Sequence, residues 1–360
     1  MAVRSGPTLT DIAKAAGVSP STVSLILNQR SEESFSPATV ERVTETAAAL
    51  GYQKRAPKPE SRKKGKNFKK IAIICPSVMS PYYAILLQGM EQVARQAGYS
   101  TCLFTTYWDP AAEAEALAGL DPSNTAGIIY GMIPLVPELT CQYSAKIPMV
   151  VVGDRHISLN VDMAELNNYN GGVLIANHLI DLGHKHIAYV STTLDENHSA
   201  RVKRLEGLRD TFKQRCPEGS VLVRDRKVLP NEELETTGIE HKVGYELTKE
   251  LLSDERITAF AAVNDMVAYG VLDALADAGK RIPQDYSVSG FDNLYPSRFR
   301  SVDLTTVEHS IEKKGRWAAR LLLDKLTSPT ADSISYGGLM RVEYESFLIR
   351  GRTTAAPAKR

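Results

Sequence analysis

The chain has 360 residues, of which 43% are hydrophobic and 24% charged, an ordinary composition for a soluble globular protein of two or three domains. No apolar run reaches the roughly 20 residues that span a bilayer, and residues 1–10 lack the apolar core of a signal peptide. We therefore expect a cytoplasmic protein.

Charge is unevenly distributed along the chain. Residues 1–70 hold 13 Lys and Arg against six Asp and Glu, a net charge of +7, whereas the whole chain carries only +1. A basic N-terminal segment on an acidic body favours a polyanionic partner for that segment. A solvated lysine-rich linker without a partner is the alternative, and charge alone does not decide between the two.

Motifs of metal binding and catalysis are absent from the sequence. Cys75, Cys102, Cys141 and Cys216 lie far apart without a C-x-x-C pair, which argues against a zinc site and against a disulfide framework. The chain has no G-x-S-x-G elbow, no Walker loop and no H-E-x-x-H helix. We therefore expect no catalytic residue, no metal and no cofactor.

The first 50 residues have the apolar spacing of three short helices. Thr8 precedes an apolar stripe at helical spacing, and with Asp11 three residues later it resembles a capping box. Gly17 is expected to end this helix, because glycine adopts the left-handed conformation at low cost. A turn of this kind brings the next helix close to the first.

The second and third helices begin at repeated start signals. Ser19 with Pro20, and Ser36 with Pro37, each combine an N-cap with a proline at the first helical position. A tight helix–glycine–helix unit can place its second helix in the major groove of DNA, and hydroxyls near that helix's N-terminus can bind phosphate. The pattern predicts an all-α helix-turn-helix headpiece, although ordinary caps of a three-helix bundle also explain the same residues.

Residues 53–70 differ in composition from the segments on either side. They are rich in Lys and Arg, and prolines at 57 and 59 disfavour a continuous helix. We predict a basic linker that marks a domain boundary.

From residue 71 onward, short apolar strands alternate with amphipathic helices. The predicted strands span residues 71–75, 101–105, 127–130, 149–152, 186–190, 259–263 and 286–290, with further strands at about 338–349. The predicted helices span residues 82–96, 110–118, 171–182, 199–214, 242–252, 265–278 and 311–326. This alternation predicts an α/β body with two doubly wound parallel-sheet lobes and a cleft between them.

Polar side chains follow several predicted strands, where ligands of open α/β sheets bind. Asp154, Asn264 and Asp292 each come directly after a strand, and Arg204 lies in the first turns of a helix. Carboxylates, amides and guanidinium groups suit hydrogen bonds to sugar hydroxyls, or to a phosphate or carboxylate. Asp265 is better explained as a negative charge at a helix N-terminus.

Two aromatic residues also follow strand ends. Trp108 and Tyr130 could stack on the face of a sugar ring, but packing in the core or at its rim explains them equally well.

Several segments, in order and with suitable spacing, resemble the lactose-repressor (LacI/GalR) family of bacterial transcriptional regulators. The resemblance extends through nearly the whole chain, from the headpiece string at residues 9–28 to segments at 50–52, 71–76, 182–187, 204–207, 262–265, 288–293 and 304–307. It implies a periplasmic-binding-protein type of body, a DNA operator as partner, and repression as the usual outcome.

The resemblance also implies roles for the headpiece residues. Pro20, Ser21 and Leu25 fall at positions that read operator bases, and many relatives carry an Arg in place of Leu25. Because leucine cannot bond guanine, we expect an operator that differs from the family's commonest half-site. The positions that match contacts to the DNA backbone are Thr10, Ser19, Thr22, Ser24 and Asn28.

The linker departs from the family pattern. Relatives usually have a short hinge helix whose leucine wedges into the minor groove and kinks the operator. This chain has no leucine between Tyr52 and Ile71. We expect Lys54 and Arg55 to contact DNA phosphates instead, so that the affinity for DNA depends on salt concentration.

For the body, the resemblance implies an effector site in the cleft. The positions that match effector contacts are Tyr82, Tyr83, Asp154, Arg204, Asn264 and Asp292. His309, in a connection between the lobes, is a further candidate. We expect a small polar effector, preferably a sugar, that changes lobe closure and so changes DNA affinity.

These inferences define a complete domain organisation. We expect a headpiece at 1–52, a linker at 53–70, a body at 71–350 and a disordered tail at 351–360. Within the body, the N-lobe comprises about 71–168 and 308–330, and the C-lobe about 169–307 and 331–350. A homodimer or a dimer of dimers would match a near-palindromic operator. A solute-binding protein and a sugar-processing enzyme on the same two-lobed body are the alternatives.

Overall fold

A computed structural model describes residues 7–28, 35–52, 70–153, 159, 161–327 and 339–358. The chain divides into two compact units, residues 1–66 and 67–360, which are called the headpiece and the body. No helix among the described residues is long and apolar enough to cross a membrane.

The headpiece contains three helices, α1 (Leu9–Ala16), α2 (Pro20–Asn28) and α3 (Pro37–Ala49). The capping box of α1 forms as expected, because the Thr8 amide donates to Asp11 Oδ2 at 2.8 Å and the Thr8 hydroxyl accepts from the Asp11 amide. Gly17 has a φ of 65°, which turns the chain into α2. The core of the headpiece consists of buried apolar side chains, among them Ile12 and Val23.

The body has twelve strands and nine longer helices within its described residues. The strands are β1 (Lys70–Cys75), β2 (Ser100–Thr105), β3 (Thr125–Tyr130), β4 (Met149–Val152), β5 (Asp162–Leu166), β6 (His186–Thr192), β7 (Ser220–Arg226), β8 (Ala259–Ala262), β9 (Ser287–Ser289), β10 (Thr306–Glu308), β11 (Arg341–Tyr344) and β12 (Phe347–Ile349). The helices are α4 (Pro81–Gln96), α5 (Pro110–Ala118), α6 (Pro137–Ser144), α7 (Asn168–Asp181), α8 (Ser199–Arg215), α9 (Pro230–Glu235), α10 (Ile239–Leu251), α11 (Asp265–Asp277) and α12 (Ile311–Thr327).

The N-lobe is a parallel sheet covered on both faces. Its strand order is β11-β5-β4-β3-β1-β2. Because successive side chains of a strand point to opposite faces, Ile71 and Ile73 of β1 pack beneath α4 and α12, whereas Ala72 and Ile74 pack beneath α5 and α6. This two-sided burial explains the continuous apolar strands of the sequence.

The C-lobe repeats this architecture with a smaller parallel sheet of order β7-β6-β8-β9. One apolar core joins the sheet to α7, α8, α10 and α11. The chain passes between the lobes from β5 to α7, from β10 to α12 and from β11 to β12, and β10 and β12 pair antiparallel in this hinge region. The predicted pair of doubly wound lobes is therefore confirmed.

Two of the predicted boundaries are wrong. Residues 331–350 were assigned to the C-lobe, but β11 pairs with β5 at the edge of the N-lobe sheet. Residues 351–360 were expected to be a disordered tail, but Thr353 is buried and exchanges hydrogen bonds with Val288 of β9 at 2.7 and 2.8 Å. Backbone pairing, which the composition of a terminal segment does not reveal, holds both segments in place.

Candidate functional site

A cleft of about 690 Å³, counting its open mouth, lies between the two lobes of the body. The carboxyl ends of parallel strands and the first turns of the following helices form its walls, as expected for open α/β sheets. Polar and aromatic side chains at these positions are Ser80, Tyr82, Tyr83, Trp108, Asn197, His198, Ser199, Arg201, Arg204, Glu240, Asn264 and Asp292.

Aromatic rings form the N-lobe side of the cleft. Tyr82 and Tyr83, in the first turn of α4, meet edge to face with centroids 4.9 Å apart. Trp108 follows β2 and has a φ of 60°, directly after Tyr107 with a φ of 50°. Two consecutive non-glycine residues in the left-handed region cost of order 1–3 kcal/mol each, and such strain concentrates at functional sites.

Arg204 is held rigidly on the C-lobe side. Its Nε donates to Asn168 Oδ1 at 2.9 Å, and its Nη1 donates to the Val263 carbonyl oxygen at 2.8 Å. The guanidinium carbon lies 3.5 Å from the centroid of the Phe291 ring. The remaining Nη2 lies 3.7 Å from Asp292 Oδ1, so one edge of the guanidinium group faces the cleft beside a carboxylate.

Asp292 is 4% exposed and has a φ of 119°. Its Oδ1 lies 2.9 Å from His309 Nε2. Burial raises the pKa of this carboxyl, and the positive charges of Arg204 and Lys314 oppose the rise. A strained backbone and a buried carboxyl at the cleft are together typical of a functional position.

Asn264 has two roles at the end of β8. Its Oδ1 caps α11 by accepting from the Val267 amide at 2.9 Å, and its Nδ2 donates to Glu240 Oε1 at 2.8 Å. The residue was predicted as an effector contact, and it lines the cleft with its hydrogen-bonding capacity already largely used.

The sequence prediction missed six polar residues of the cleft, which are Ser80, Asn197, His198, Ser199, Arg201 and Glu240. Arg201 Nη2 lies 3.6 Å from Glu240 Oε1, so a second guanidinium–carboxylate pair faces the cleft. His198 packs against Trp108 with centroids 4.3 Å apart, and burial lowers the pKa of this imidazole to about 4. Arg201 lies one helical turn before Arg204 on the same helix, which is the signal that could have revealed it.

Two residues predicted as effector contacts do not line the cleft, and a third lies outside the described residues. Tyr130 is fully buried on the face of β3 opposite α12, where its hydroxyl donates to Glu113 Oε1 at 3.2 Å. His309 is also fully buried and lies behind Asp292 instead of lining the cleft. Asp154 belongs to the residues that the structure does not describe.

Asp265 has the structural role that the sequence suggested, although with more partners. It begins α11 and is fully buried, with Oδ2 accepting from the Leu294 amide and Ser297 Oγ and Oδ1 accepting from Thr306 Oγ1, at 2.6–2.8 Å. It does not line the cleft.

In the headpiece, Ser19 caps the second helix of the predicted pair. Its Oγ accepts from the Thr22 amide at 3.0 Å and lies 2.8 Å from Thr22 Oγ1, while Thr10 and Pro20 are exposed. Ser21, Ser24, Leu25 and Asn28 lie on α2, but their side chains are outside the description, as are Lys54 and Arg55 altogether.

Comparison with known proteins matches both units. Residues 8–54 match the family described as "Bacterial regulatory proteins, lacI family", and residues 176–336 match "Periplasmic binding protein-like domain". An "HTH-type transcriptional repressor PurR" of Haemophilus influenzae is 31% identical over 89% of this chain and 91% of its own. "Catabolite control protein A" of Priestia megaterium is 29% identical over 91% and 94%.

A solved structure shares the fold of the body. The regulator of the LacI family from Enterococcus faecium, crystallised with bound ribose, superposes with a TM-score of 0.68 and 25% identity over 80% of this chain and 99% of its own.

A helix-turn-helix unit together with a two-lobed body defines a class of DNA-binding regulators that carry a ligand-binding domain. Within that class, the chain belongs to the lacI family of bacterial regulatory proteins, and it is a DNA-binding transcriptional repressor. The predicted family is thereby confirmed, and so is the prediction that the chain is not an enzyme, because its relatives are regulators.

Proposed function

We propose that the protein binds a neutral, sugar-like effector in the cleft, and that effector-driven lobe closure changes its affinity for a near-palindromic operator, which it binds as a homodimer. The pairing of opposite charges in the cleft is the observation that favours a neutral effector. Arg204 faces Asp292 at 3.7 Å, and Arg201 faces Glu240 at 3.6 Å. An anionic effector would need a cation without such a partner.

Neighbouring groups strengthen this argument against an anion. His198 carries no charge near neutral pH, because burial and Arg201 lower the pKa of its imidazole. Glu233 lies with Glu240 in a smaller cavity next to the cleft, and burial raises the pKa of its carboxyl to about 7, so it adds negative charge near the cleft above that pH. Phosphate or carboxylate groups on the effector would therefore find no unpaired cation among the described cleft residues.

Other contacts suit a sugar. Ser199 is 2% exposed at the cleft wall, and no hydrogen-bond partner for its Oγ exists among the described residues. A buried hydroxyl without a partner costs free energy, which an effector hydroxyl would recover. Tyr83 and Trp108 line the cleft, and aromatic side chains suit contact with the apolar C–H groups of a sugar. Ribose bound to the E. faecium regulator adds support.

The effector class can be tested on the full chain by calorimetry and thermal shift. We expect ribose, or another neutral sugar of similar size, to raise the melting temperature, because it binds only the folded state. The phosphorylated analogue ribose 5-phosphate should bind at least tenfold more weakly. Tighter binding of phosphorylated sugars than of neutral ones would contradict the proposal.

Asp292→Ala tests the site within the same assay. We expect this variant to lose the thermal response to the sugar while it retains DNA binding, because the cleft and the headpiece belong to separate units. Asp277→Ala, on the exposed face of α11, is the matched control and should respond like the wild type. A normal binding isotherm for the Asp292 variant would remove this residue from the site.

DNA recognition is tested by selecting duplexes from a random pool. We expect the wild type to select two-fold symmetric sequences with half-sites about one helical turn apart, as a homodimer requires. Ser21→Arg, at the start of α2, should select different half-sites. Identical selected sequences for both proteins would count against base reading at this position.

A further inference from the structure

A chain of three buried polar side chains runs behind the cleft. Lys314, in the first turns of α12, is 1% exposed, and its Nζ lies 2.8 Å from His309 Nδ1. The other ring nitrogen, His309 Nε2, lies 2.9 Å from Asp292 Oδ1. Only Asp292 of the three lines the cleft. A buried lysine therefore reaches the effector site through an imidazole.

The direction of hydrogen bonding in this chain follows from the donor groups. An ammonium group only donates, so His309 Nδ1 must accept from Lys314. The proton of the neutral imidazole then sits on Nε2 and is donated to the Asp292 carboxylate. His309 is held neutral, because burial, Lys314 and Arg204 lower the pKa of its imidazole well below its usual value.

Packing fixes the imidazole in this position. The His309 ring stacks on Tyr82 with centroids 5.8 Å apart and contacts Phe291 with centroids 5.0 Å apart. Lys314 Nζ lies 5.3 Å from the centre of the Tyr82 ring, whose edge lines the cleft. The imidazole cannot rotate without displacing an aromatic residue of the cleft wall.

The charged groups that face Asp292 come from both lobes. Arg204 and Lys314 favour its ionised form, whereas Asp265, Glu240 and burial favour its protonated form. Arg204 is already bonded to Asn168 and to the Val263 carbonyl oxygen. Lys314 is therefore the second cation, and it acts from the N-lobe on a carboxylate of the C-lobe.

We propose that Lys314 is a positioning residue of the effector site. Through His309 it fixes the orientation of Asp292 and keeps it a hydrogen-bond acceptor, so that the cleft selects effectors that donate a hydroxyl or amine hydrogen at this point. This inference rests on the proposed effector function of the cleft. It also predicts that His309 adds no pH dependence to effector affinity near neutral pH, because burial, Lys314 and Arg204 hold the pKa of its imidazole well below the usual value.

The hydrogen-bond directions can be measured without any ligand. Full-length protein labelled with ¹⁵N-histidine reports which ring nitrogen carries the proton, and the His309→Gln variant assigns the signals by their loss. We expect His309 to be neutral with its proton on Nε2 from pH 5 to 8. A proton on Nδ1, or titration of His309 in this range, would overturn the proposal even if no variant of Lys314 folded.

Lys314→Met removes the cation at similar side-chain length. Without the ammonium group, His309 should gain a proton as the new counter-ion of Asp292 and should titrate between pH 5 and 8. Lys313→Met, at an exposed position on the same helix, is the matched control and should leave His309 neutral. An unchanged His309 signal in Lys314→Met would contradict the positioning role.

Calorimetry with ribose at pH 5.5 and 8 supplies the functional arm. We expect the wild type and Lys313→Met to share the same pH dependence of Kd, and Lys314→Met to show a further change of about tenfold between the two pH values, as for the loss of one charge-assisted hydrogen bond. If wild type binds but the pH dependence of Kd in Lys314→Met equals that of the wild type, the positioning role fails. If the His309 signals behave as expected but no neutral sugar binds, it is the proposed effector class that fails.

Discussion

Asp265 connects three segments of the C-lobe through one carboxylate. It accepts hydrogen bonds from the Leu294 amide, Ser297 Oγ and Thr306 Oγ1, each without access to water. Burial raises the pKa of this carboxyl to about 6. The ionised carboxylate thus carries a desolvation cost that its three donors offset only in part.

Replacing Asp265 by alanine should leave the Leu294 amide and Thr306 Oγ1 without this acceptor, whereas Ser297 Oγ keeps the Tyr269 hydroxyl as a partner at 2.6 Å. Each buried donor that loses its partner costs about 1–3 kcal/mol, so we expect the free energy of unfolding to fall by about 2 kcal/mol or more. Chemical denaturation of the full chain measures this. Asp273→Ala, on the same helix but 65% exposed, is the control. Equal losses in the two variants would show that the buried hydrogen bonds contribute little.

His184 is one of several buried imidazoles that contribute to acid sensitivity. Its Nε2 lies 2.9 Å from the Ala355 carbonyl oxygen and its Nδ1 2.8 Å from Thr258 Oγ1, and burial lowers its pKa to about 4. The folded state therefore binds this proton less readily than the unfolded state, whose pKa is near 6.5. The resulting stability is complete above pH 6.5 and is lost as pH falls through 4.

His184→Gln should remove this pH dependence. The contribution reaches at most about 3 kcal/mol, so between pH 6.5 and 4 the free energy of unfolding should decline less steeply in the variant than in the wild type. At pH 7.5 the variant should be the less stable of the two. Equally steep acid dependence in both proteins would mean that His184 takes up no proton on unfolding.

Residue type and strand position predicted only part of the cleft. Arg204 and Asp292 follow from the rule that polar groups at strand ends face the ligand, and both line the cleft. Tyr130 occupies an equivalent position in the sequence but points to the other sheet face, where Glu113 bonds its hydroxyl. The last side chain of a strand can point to either face of the sheet. The face depends on the register of the strand and on the neighbouring helices, which the residue type alone does not reveal.

Pairs of helices in the C-lobe cross at glycines that face each other's backbone. A Cβ at Gly172 of α7 would overlap the Arg204 carbonyl oxygen, and a Cβ at Gly207 of α8 would overlap the Tyr169 carbonyl oxygen. The two glycines let the helices approach with backbone against backbone. Since α8 carries Arg201 and Arg204, the close packing of α8 against α7 determines where both guanidinium groups lie in the cleft.

Gly207→Ala should therefore impair both stability and effector binding. The new methyl group meets backbone that cannot rotate away, so α8 must shift, at a cost of about 1–3 kcal/mol. Denaturation and sugar calorimetry measure the two effects. In the control Gly119→Ala, the added methyl group lies 3.6 Å from its nearest neighbours and should be tolerated. Normal sugar affinity in a destabilised Gly207 variant would show that the packing of α8 against α7 does not affect effector binding.

The periodic elements of the body were predictable, and the elements without a clean pattern were not. The apolar runs that form β1 and β4 correctly predict buried strands. By contrast, β5 is fully buried yet contains Asp162 and Glu165, because Lys325 pairs with the first carboxylate at 3.1 Å and Arg341 lies 3.7 Å from the second. Edge strand β7 is half exposed and carries several charges. Partners from distant segments make such strands stable, and a local pattern cannot reveal them.

At the scale of the whole molecule, the lobes share three chain crossings, so effector binding can act on both lobes at once. The alternation of strands and helices predicted this architecture, because it permits few other topologies. The lobe in which the last strands lie was not predictable, since only two residues separate β11 from β12 and the two strands belong to different sheets. That choice depends on the edges left free by the earlier strands.

The segment that joins the two units has a consequence for DNA shape. The resemblance implies that the family's hinge leucine kinks the operator, whereas residues 53–70 of this chain contain no leucine and carry a strong positive charge. We therefore expect the operator to be bent little, and the affinity to decrease steeply with salt as phosphate contacts are lost. Gel mobility of circularly permuted operator fragments measures the bend, with an intrinsically curved fragment as the standard. A bend comparable to that standard would require an apolar wedge, and Phe68→Ala would then test the aromatic side chain within the linker for that role.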